Sequence, residues 1–520
     1  MRLRLFPLAL LPLLQSAPSV TVTGRVTERN GEPVPGALVS RTRDGSNVTV
    51  TVYADRSGRY ELDVPDGRYT VRVAHTGYVP VERAAGSGTT MDITLERATD
   101  AWASAPSSRL LGLLPDGETK RRFILDCTGC HQLDRQTAAA PSGNGLKSQE
   151  EWRQRTAQMI AFSGAASQFP IMAPSRDADS TAAWLVRHLG SSLPATPPAS
   201  PAPTTGSARI TEYALPAPAD LPHDLIVGPD GRVVITGMMT HRMYVLDPAT
   251  GDFAIEPIPV QAANPRAVEI AADGTWWVLL GFPRKVARRA PDGTWTDWDI
   301  GMYPHSIGLA RDGRVWFNGH FTKQPELLAS LDPSTGTVTR HEVPTPIMPD
   351  GGSTIPYELR VGPDGAVWVT QLAGGRLVRF RPGAGEFGLY PLPAPFSGPR
   401  RMDVDAAGRV WIPEYARNRL ARFDPATERF DEWELPVPDA LPYVARLDEA
   451  RGALWIGTGA ADALIRFDLP TERFTVYPLP TAGALVRHLD VDRRTGAVWL
   501  AYGASPSRGP AKVARVDVRE

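Results

Sequence analysis

A chain of 520 residues is long for a single hydrophobic core and predicts several domains. Its 56 Lys and Arg against 57 Asp and Glu leave a formal net charge of −1. That balance excludes the basic footprint of a nucleic-acid binder, and the charges are interspersed as on an ordinary solvated surface.

The first 19 residues read as an export signal. Arg2 and Arg4 form a positive start, Leu5 to Leu14 a short apolar core, and Ser16, Ala17 and Ser19 the small residues of a cleavage site. The apolar run is short for a bilayer, so an uncleaved anchor is the weaker reading, and no other transmembrane segment is expected. Export predicts a periplasmic or secreted protein.

Residues 20–98 alternate apolar and polar side chains at period two, as in Val20-Thr-Val-Thr-Gly-Arg-Val26, Tyr60-Glu-Leu-Asp-Val64 and Tyr69-Thr-Val-Arg-Val73. Turn signals at Asn30-Gly31, Asp44-Gly45 and Pro65-Asp66-Gly67 separate them, which predicts a small antiparallel β-sandwich. Gly24-Arg-Val26, Gly31-Glu-Pro-Val-Pro-Gly-Ala37, Asp55-Arg-Ser-Gly58-Arg-Tyr60 and Pro65-Asp-Gly-Arg-Tyr69 make this segment resemble the carboxypeptidase regulatory-like domain. The resemblance implies a spacer, folding aid or binding module and no catalysis.

After a weak linker at 98–115, residues 116–190 lose the β pattern. They hold both cysteines of the chain, in Cys127-Thr128-Gly129-Cys130-His131. In C-x-x-C-H two thiols add across the vinyl groups of haem, and the histidine becomes an axial iron ligand. A thioredoxin-like redox pair would need a βαβ context, and tetrahedral zinc would need further Cys or His nearby, whereas the next histidine is His188. One covalent haem c is therefore expected on Cys127 and Cys130, with His131 as iron ligand. With both cysteines so used, no disulfide is left to staple the other domains.

Helical spacing recurs at Trp152, Thr156, Met159 and Ile160, and Ala178 to Leu189 predicts a final helix capped near Asp179 or Ser180. The segment resembles a small class I cytochrome c, which ends in such a helix. In that family the second axial ligand is usually a methionine in a Pro-flanked loop before it. Met172, in Phe169-Pro-Ile-Met-Ala-Pro174, holds that place. Met159, read as core, and His188, on the last helix, are the alternatives. Residues 191–207 form a Pro/Ala/Ser/Thr linker expected to let the haem domain move.

From 208 to 520 the chain repeats. Turn glycines Gly231, Gly274, Gly313, Gly365, Gly408, Gly452 and Gly496 are each followed three residues later by Val234, Trp277, Trp316, Trp368, Trp411, Trp455 and Trp499. A period in the low forties with four short strands predicts a seven-bladed β-propeller, with the tryptophans as inter-blade core. The last repeat lacks its outer strand, and Arg209-Ile-Thr-Glu-Tyr-Ala-Leu-Pro216 has that strand's pattern. This predicts a ring closed by the N-terminal strand. The fold class is thus multidomain and mainly β: sandwich, small α-helical cytochrome c domain, propeller.

Pro-His or Pro-Tyr at strand starts, Asp-Gly turns, Trp-plus-apolar strands and closing Tyr-x-Leu-Pro make the repeat resemble the virginiamycin B lyase (streptogramin lyase) family. That resemblance implies ring-opening elimination on a cyclic ester with a divalent metal. It also implies histidines after proline in the last two blades, and a glutamate closing a Trp-Phe-Thr-Glu strand. Here Pro-His stands at Pro222-His223 and Pro304-His305, in blades one and three. Blade six has Pro442-Tyr443, and blade seven has Val486-Arg487 followed by His488. The glutamate survives as Glu414 of blade five, so the acid–base pair does not map position for position. No ligand set for a metal in the propeller is read from the residues.

Strand starts contribute His223, Arg266, His305, Tyr357, Glu358, Arg400, Arg401, Tyr443 and Arg487 to the expected mouth, and strand ends add His320, Gln371 and Glu414. Such a ring suits an anionic or metal-bearing ligand, or acid–base work; a wet channel without chemistry is equally consistent with the fold. The functional expectation is an exported c-type cytochrome that transfers one electron, takes it from a redox partner protein or small-molecule donor, and uses the propeller for recognition. The alternatives are a lyase of the streptogramin type, or a propeller dehydrogenase passing electrons to the tethered haem. A His/Glu cluster around His305, Glu358 and Glu414 would favour an enzyme.

Overall fold

The computed structural model describes residues 19–65, 67–85, 90–167, 169–198, 205–321, 325–346, 348, 351–503 and 511–519. The expected export signal lies outside them except for Ser19, which opens the first strand. Among the described residues no helix is long and apolar enough to cross a membrane. The chain divides into two compact units, Met1–His75 with Val79–Glu96, and Thr76–Tyr78 with Arg97–Glu520.

In the first unit the period-two segments pair as two sheets. Strand Ser19–Glu28 runs antiparallel to Arg59–Pro65 and parallel to Ile93–Arg97. Leu38–Arg43 lies between Val48–Tyr53 and Tyr69–Ala74, and the latter pairs with Val81–Ala85. The apolar set of each strand is buried: Val22, Val26, Val39, Leu62, Val71, Val73 and Leu95. In the Asp55-Arg-Ser-Gly58 turn, Asp55 accepts from the N–H groups of Ser57 and Arg59. Gly58 sits at φ 77°, where an added Cβ would lie 2.4 Å from the Val26 carbonyl oxygen, so only glycine fits.

The second unit contains, among the described residues, six four-stranded antiparallel sheets and a seventh antiparallel set in the order Val486–Val491, Val498–Tyr502, Lys512–Arg519 and Ser207–Ala214. Their inner strands are Pro222–Val227, Pro265–Ile270, Pro304–Leu309, Pro356–Val361, Asp403–Val404, Pro442–Asp448 and Val486–Val491. Each contacts the next, and the seventh contacts the first, so they close a ring. The last blade takes its outer strand from Ser207–Ala214, which pairs antiparallel with Lys512–Arg519, as the sequence pattern predicts. Closure in this way leaves blade seven no free edge on that side. All six repeat tryptophans are buried between blades, from Trp499 at 1 % exposed to Trp277 at 8 %.

The inner strands share one irregularity that builds the mouth. In blades one, three and four the ladder pairs the leading proline and then skips two residues against one on the neighbouring strand. The skipped residues are His223-Asp224, His305-Ser306 and Tyr357-Glu358. Blades two, six and seven skip Arg266, Tyr443 and Arg487. A bulge releases side chains from the alternation of the strand and re-aims them. The side chain opposite each double bulge accepts the freed N–H: Thr236 from Asp224, Asn318 from Ser306, Thr370 from Glu358.

Among the described residues five helices precede the propeller: α1 (Ser107–Leu111), α2 (Glu118–Cys127), α3 (Arg135–Ala138), α4 (Gln149–Ser163) and α5 (Ala178–Leu189). Ser148 and Glu151 form a reciprocal capping box on α4. The cap of α5 is Asp177, not Asp179 or Ser180, because the Asp177 carboxylate accepts from the Ser180 N–H. The helices do not separate as a discrete domain; they cluster in one unit with the propeller. The described parts of both expected linkers are tied down. Residues 98–115 contain α1, with Trp102, Leu110, Leu111 and Leu114 buried, and the Ser108 N–H donates to the Ala460 carbonyl at 2.9 Å. The start of the Pro-rich tract accepts hydrogen bonds from Trp102 at Pro194 and from Arg109 at Pro198.

Candidate functional site

The C-x-x-C-H segment begins on the last residue of α2 and lies against the propeller mouth. Two hydrogen bonds fix its backbone there. Tyr415 Oη donates to the Thr128 carbonyl at 2.8 Å, and Arg487 Nη2 donates to the Cys130 carbonyl. Gln132 Nε2 donates to the Gly459 carbonyl at 2.9 Å. A Cβ on Gly129 would fall 2.8 Å from Arg400 Nη2, so the guanidinium and the glycine require each other's shape. On α2, Lys120 Nζ pairs with Asp439 Oδ2 at 2.8 Å, with only 5 % of the lysine side chain exposed.

Both cysteines are free thiols. Burial pushes the Cys127 thiol up to about 12, which makes it a poor nucleophile at neutral pH and disfavours the redox-pair reading. His131 is buried, and its Nδ1 lies 3.0 Å from the Gln132 carbonyl. A carbonyl only accepts, so Nδ1 carries the proton and Nε2 the lone pair, the tautomer an iron ligand needs. Met172 is 2 % exposed, whereas Met159 and His188 are only half-buried. The Met172 loop is anchored beside the motif: Asp126 accepts from the Ala173 N–H at 3.2 Å and pairs with Arg176 at 2.5 Å. The donor set thus fits a c-type haem in type and tautomer. Met172 also lines an apolar cavity of about 500 Å³ with Leu125, Ile171, Ile355, Leu372 and Leu392. Met348, Gly352 and Ser353 border the same cavity.

Beneath the motif, Arg400 is enclosed by three phenol rings, with its Cζ 3.9, 4.2 and 4.9 Å from the centroids of Tyr415, Tyr443 and Tyr357. Its Nη1 donates to Tyr357 Oη at 2.9 Å, and Tyr357 and Tyr443 share a hydrogen bond of 2.5 Å. Burial opposes ionisation of Tyr443, but Arg400, Arg487 and Arg401 outweigh it and bring the phenol down to about 8. On the facing blades, His223, His305 and His320 each direct Nδ1 at a backbone carbonyl, of Arg266, Tyr357 and Pro356, at 2.6 to 2.9 Å. All three are held neutral, chiefly by burial and further by the neighbouring Arg266; His223 falls to about 3.

Deeper in the channel, Arg401 forks onto Asp224 at 2.6 and 3.3 Å. Glu358 pairs with Arg446 at 2.9 Å and Arg360 at 3.0 Å. At the far end a second cavity of about 480 Å³ is lined by Glu269, Arg360, Asp403, Arg446, His488 and Asp490. Burial pushes the Glu269 carboxyl up to about 7 there, against the pull of Arg360.

Most of the expected mouth residues therefore do converge. Two do not. Gln371 turns to Glu326 and Thr345, and Glu414 lies beside Glu432, where burial and the second carboxyl raise it to about 8. Glu358 is consumed by arginines, so the His305, Glu358 and Glu414 cluster does not form. Among the described residues no three His, Cys, Asp or Glu side chains group as metal ligands. Asp224, Arg446, Arg360 and Tyr415 escaped the sequence reading; each lies one to four residues beyond a strand-start or strand-end position that was singled out.

Residues 346–509 match the virginiamycin B lyase family, and residues 21–96 match the carboxypeptidase regulatory-like domain. The first match covers under a third of the chain. No curated protein matches the sequence. Among solved structures, virginiamycin B lyase from Staphylococcus aureus aligns at 20% identity and TM-score 0.53, over 60% of this chain and 99% of that one. A streptogramin B lyase aligns at the same identity and TM-score, over 60% and 97%. A catalytically inactive variant of the S. aureus enzyme with quinupristin aligns at 20% identity and TM-score 0.52, over 60% and 99%. At this identity the likeness establishes the propeller fold and carries no activity with it.

Proposed function

We propose that the chain is an exported c-type cytochrome in which one haem, attached at the propeller mouth, exchanges single electrons with a ligand or partner recognised by the propeller. The observation that carries this reading is the seating of Cys127-x-x-Cys130-His131 on the mouth by Tyr415, Arg487, Arg400 and Gln132. Cys127 and Cys130 would hold the group by thioether bonds, with His131 Nε2 and Met172 Sδ as the iron ligands. When bound, haem supplies a one-electron ferric–ferrous couple whose potential a methionine ligand raises. The protein's part is to orient His131 through the Gln132 carbonyl, to exclude water with the buried Met172 loop, and to keep the motif's backbone fixed as charge changes.

The test is production with c-haem maturation, a haem stain on a denaturing gel, and potentiometry. The wild type is expected to retain covalent haem and Cys130→Ala to lose most of it. Met172→Ala should keep the haem but lower the midpoint potential, within the roughly 0.8 V span that axial ligands command. Absence of covalent haem from the wild type would overturn the reading.

A further inference from the structure

The cavity beside the Met172 loop is apolar over most of its wall and cationic at one place. At about 500 Å³ it falls within the size range of small-molecule sites. Leu125, Ile171, Ile355, Leu372 and Leu392 supply aliphatic surface, and the Phe396 ring on the same wall is covered by the Arg122 guanidinium at 4.4 Å. Among the described residues three charged side chains line the space, and two of them are engaged. Arg122 pairs with Glu118 at 3.0 Å on its own helix. Asp126 accepts from the Ala173 N–H and pairs with Arg176. The third is Arg376, which opens strand Arg376–Arg381 of blade four. Its Nη1 is buried without a hydrogen bond, and no carboxylate of the described residues lies at salt-bridge distance from it.

A guanidinium nitrogen removed from water with no acceptor carries a cost that a ligand oxygen in the cavity would offset. A neutral acceptor would satisfy the hydrogen bond alone, whereas a carboxylate satisfies the charge as well. Walls of leucine, isoleucine and proline, with the one ring face already covered, suit a flexible alkyl chain better than a flat aromatic body. The cavity also lies apart from the place of a haem on the motif. Arg122, Leu125 and Asp126 stand at i, i+3 and i+4 on α2 and share one face. Cys127 lies about 100° further round the helix from Asp126 and about 200° from Leu125, on another face.

We propose that this cavity binds a medium-chain alkyl carboxylate, its carboxylate on Arg376 and its chain among Leu125, Ile171, Ile355, Leu372 and Leu392. The site goes beyond the electron-transfer reading and needs no haem, so its failure leaves that reading standing. Calorimetric titration of the full chain with octanoate tests it, against hexanoate, which is shorter in the chain, and 1-octanol, which lacks the carboxylate. Octanoate should bind, and hexanoate about tenfold more weakly for the apolar surface it does not bury. For want of the charge-assisted hydrogen bond, 1-octanol should bind at least about tenfold more weakly. Arg376→Gln should weaken octanoate by a similar factor and leave 1-octanol unchanged. Ala373→Phe, which fills the cavity from its wall, should weaken both. No binding of octanoate, equal affinity for hexanoate or for 1-octanol, or unchanged octanoate affinity in either variant overturns the proposal. Should Arg376→Gln fail to fold, the three ligands on the wild type and octanoate on Ala373→Phe decide it by the same outcomes.

Discussion

Tyr443 reports the electrostatics of the mouth most directly. Three arginines hold its phenol at about 8, below the ordinary value near 10, even though burial alone would raise it. The folded-state value is depressed, so the stability this ionisation contributes is complete above pH 10 and is lost as pH falls through about 8. Ultraviolet difference titration should show one of the 13 tyrosines ionising ahead of the rest. Tyr443→Phe should remove that step, and Arg400→Gln should move it upward. A first step that persists in Tyr443→Phe would contradict the assignment. The residues behind this behaviour were legible only in part. Arg400, Arg487 and Tyr443 stand out because they occupy strand-start positions that recur every blade. Tyr415 does not, because nothing in a one-dimensional pattern says that the residue after Glu414 reaches across to the Thr128 carbonyl. Glu414 was misjudged for the complementary reason. Its place in the repeat suggests the mouth, but the side chain turns toward Glu432 on the outer strand of its own blade.

At the scale of strands, period and turn chemistry carry nearly all the information, because each blade is a nearest-neighbour hairpin set and the tryptophan marks its register. The ring closure was legible for the same reason: an unpaired outer-strand pattern at one end of the repeat and a missing outer strand at the other. Ile210, fully buried on the closing strand, packs where the ring is joined without a covalent connection. Ile210→Ala should cost about 2–5 kcal/mol, the range for truncating a buried aliphatic side chain. It should also expose the edge of Lys512–Arg519 and promote concentration-dependent association. Thermal melting with light scattering checks both; a melt within a degree of wild type would mean that the strand does not hold the ring. The bulges were not legible. The residue whose N–H each double bulge frees and the side chain that accepts it lie 12 residues apart in sequence, so no local pattern announces the pair.

For the whole molecule, the decisive fact is that residues 97–520 form one unit, so the helical segment and the propeller act together. Composition suggested the opposite, because a Pro/Ser/Thr tract reads as a tether when its contacts lie far away in sequence. The interface has a nearly dry ion pair at its centre, Lys120 with Asp439, of which 5 % and 16 % of the side chains are exposed. Burial pushes the Asp439 carboxyl up, and Lys120 opposes that shift. Removing one partner of such a pair is costlier than the pair is worth, because the remaining charge stays buried. Asp439→Ala leaves Lys120 with Asp116 alone, at 3.2 Å and 95 % exposed, a weak substitute. The helical segment should then open more often, by about 2 kcal/mol or some thirtyfold in the opening equilibrium. Amide hydrogen exchange should rise across α2 and the C-x-x-C-H segment, while the repeat tryptophan strands keep their protection. Equal loss of protection in both would mean that the segment and the ring unfold as one cooperative body. Unchanged exchange would mean that Tyr415, Arg487 and Gln132 suffice to hold the motif on the mouth.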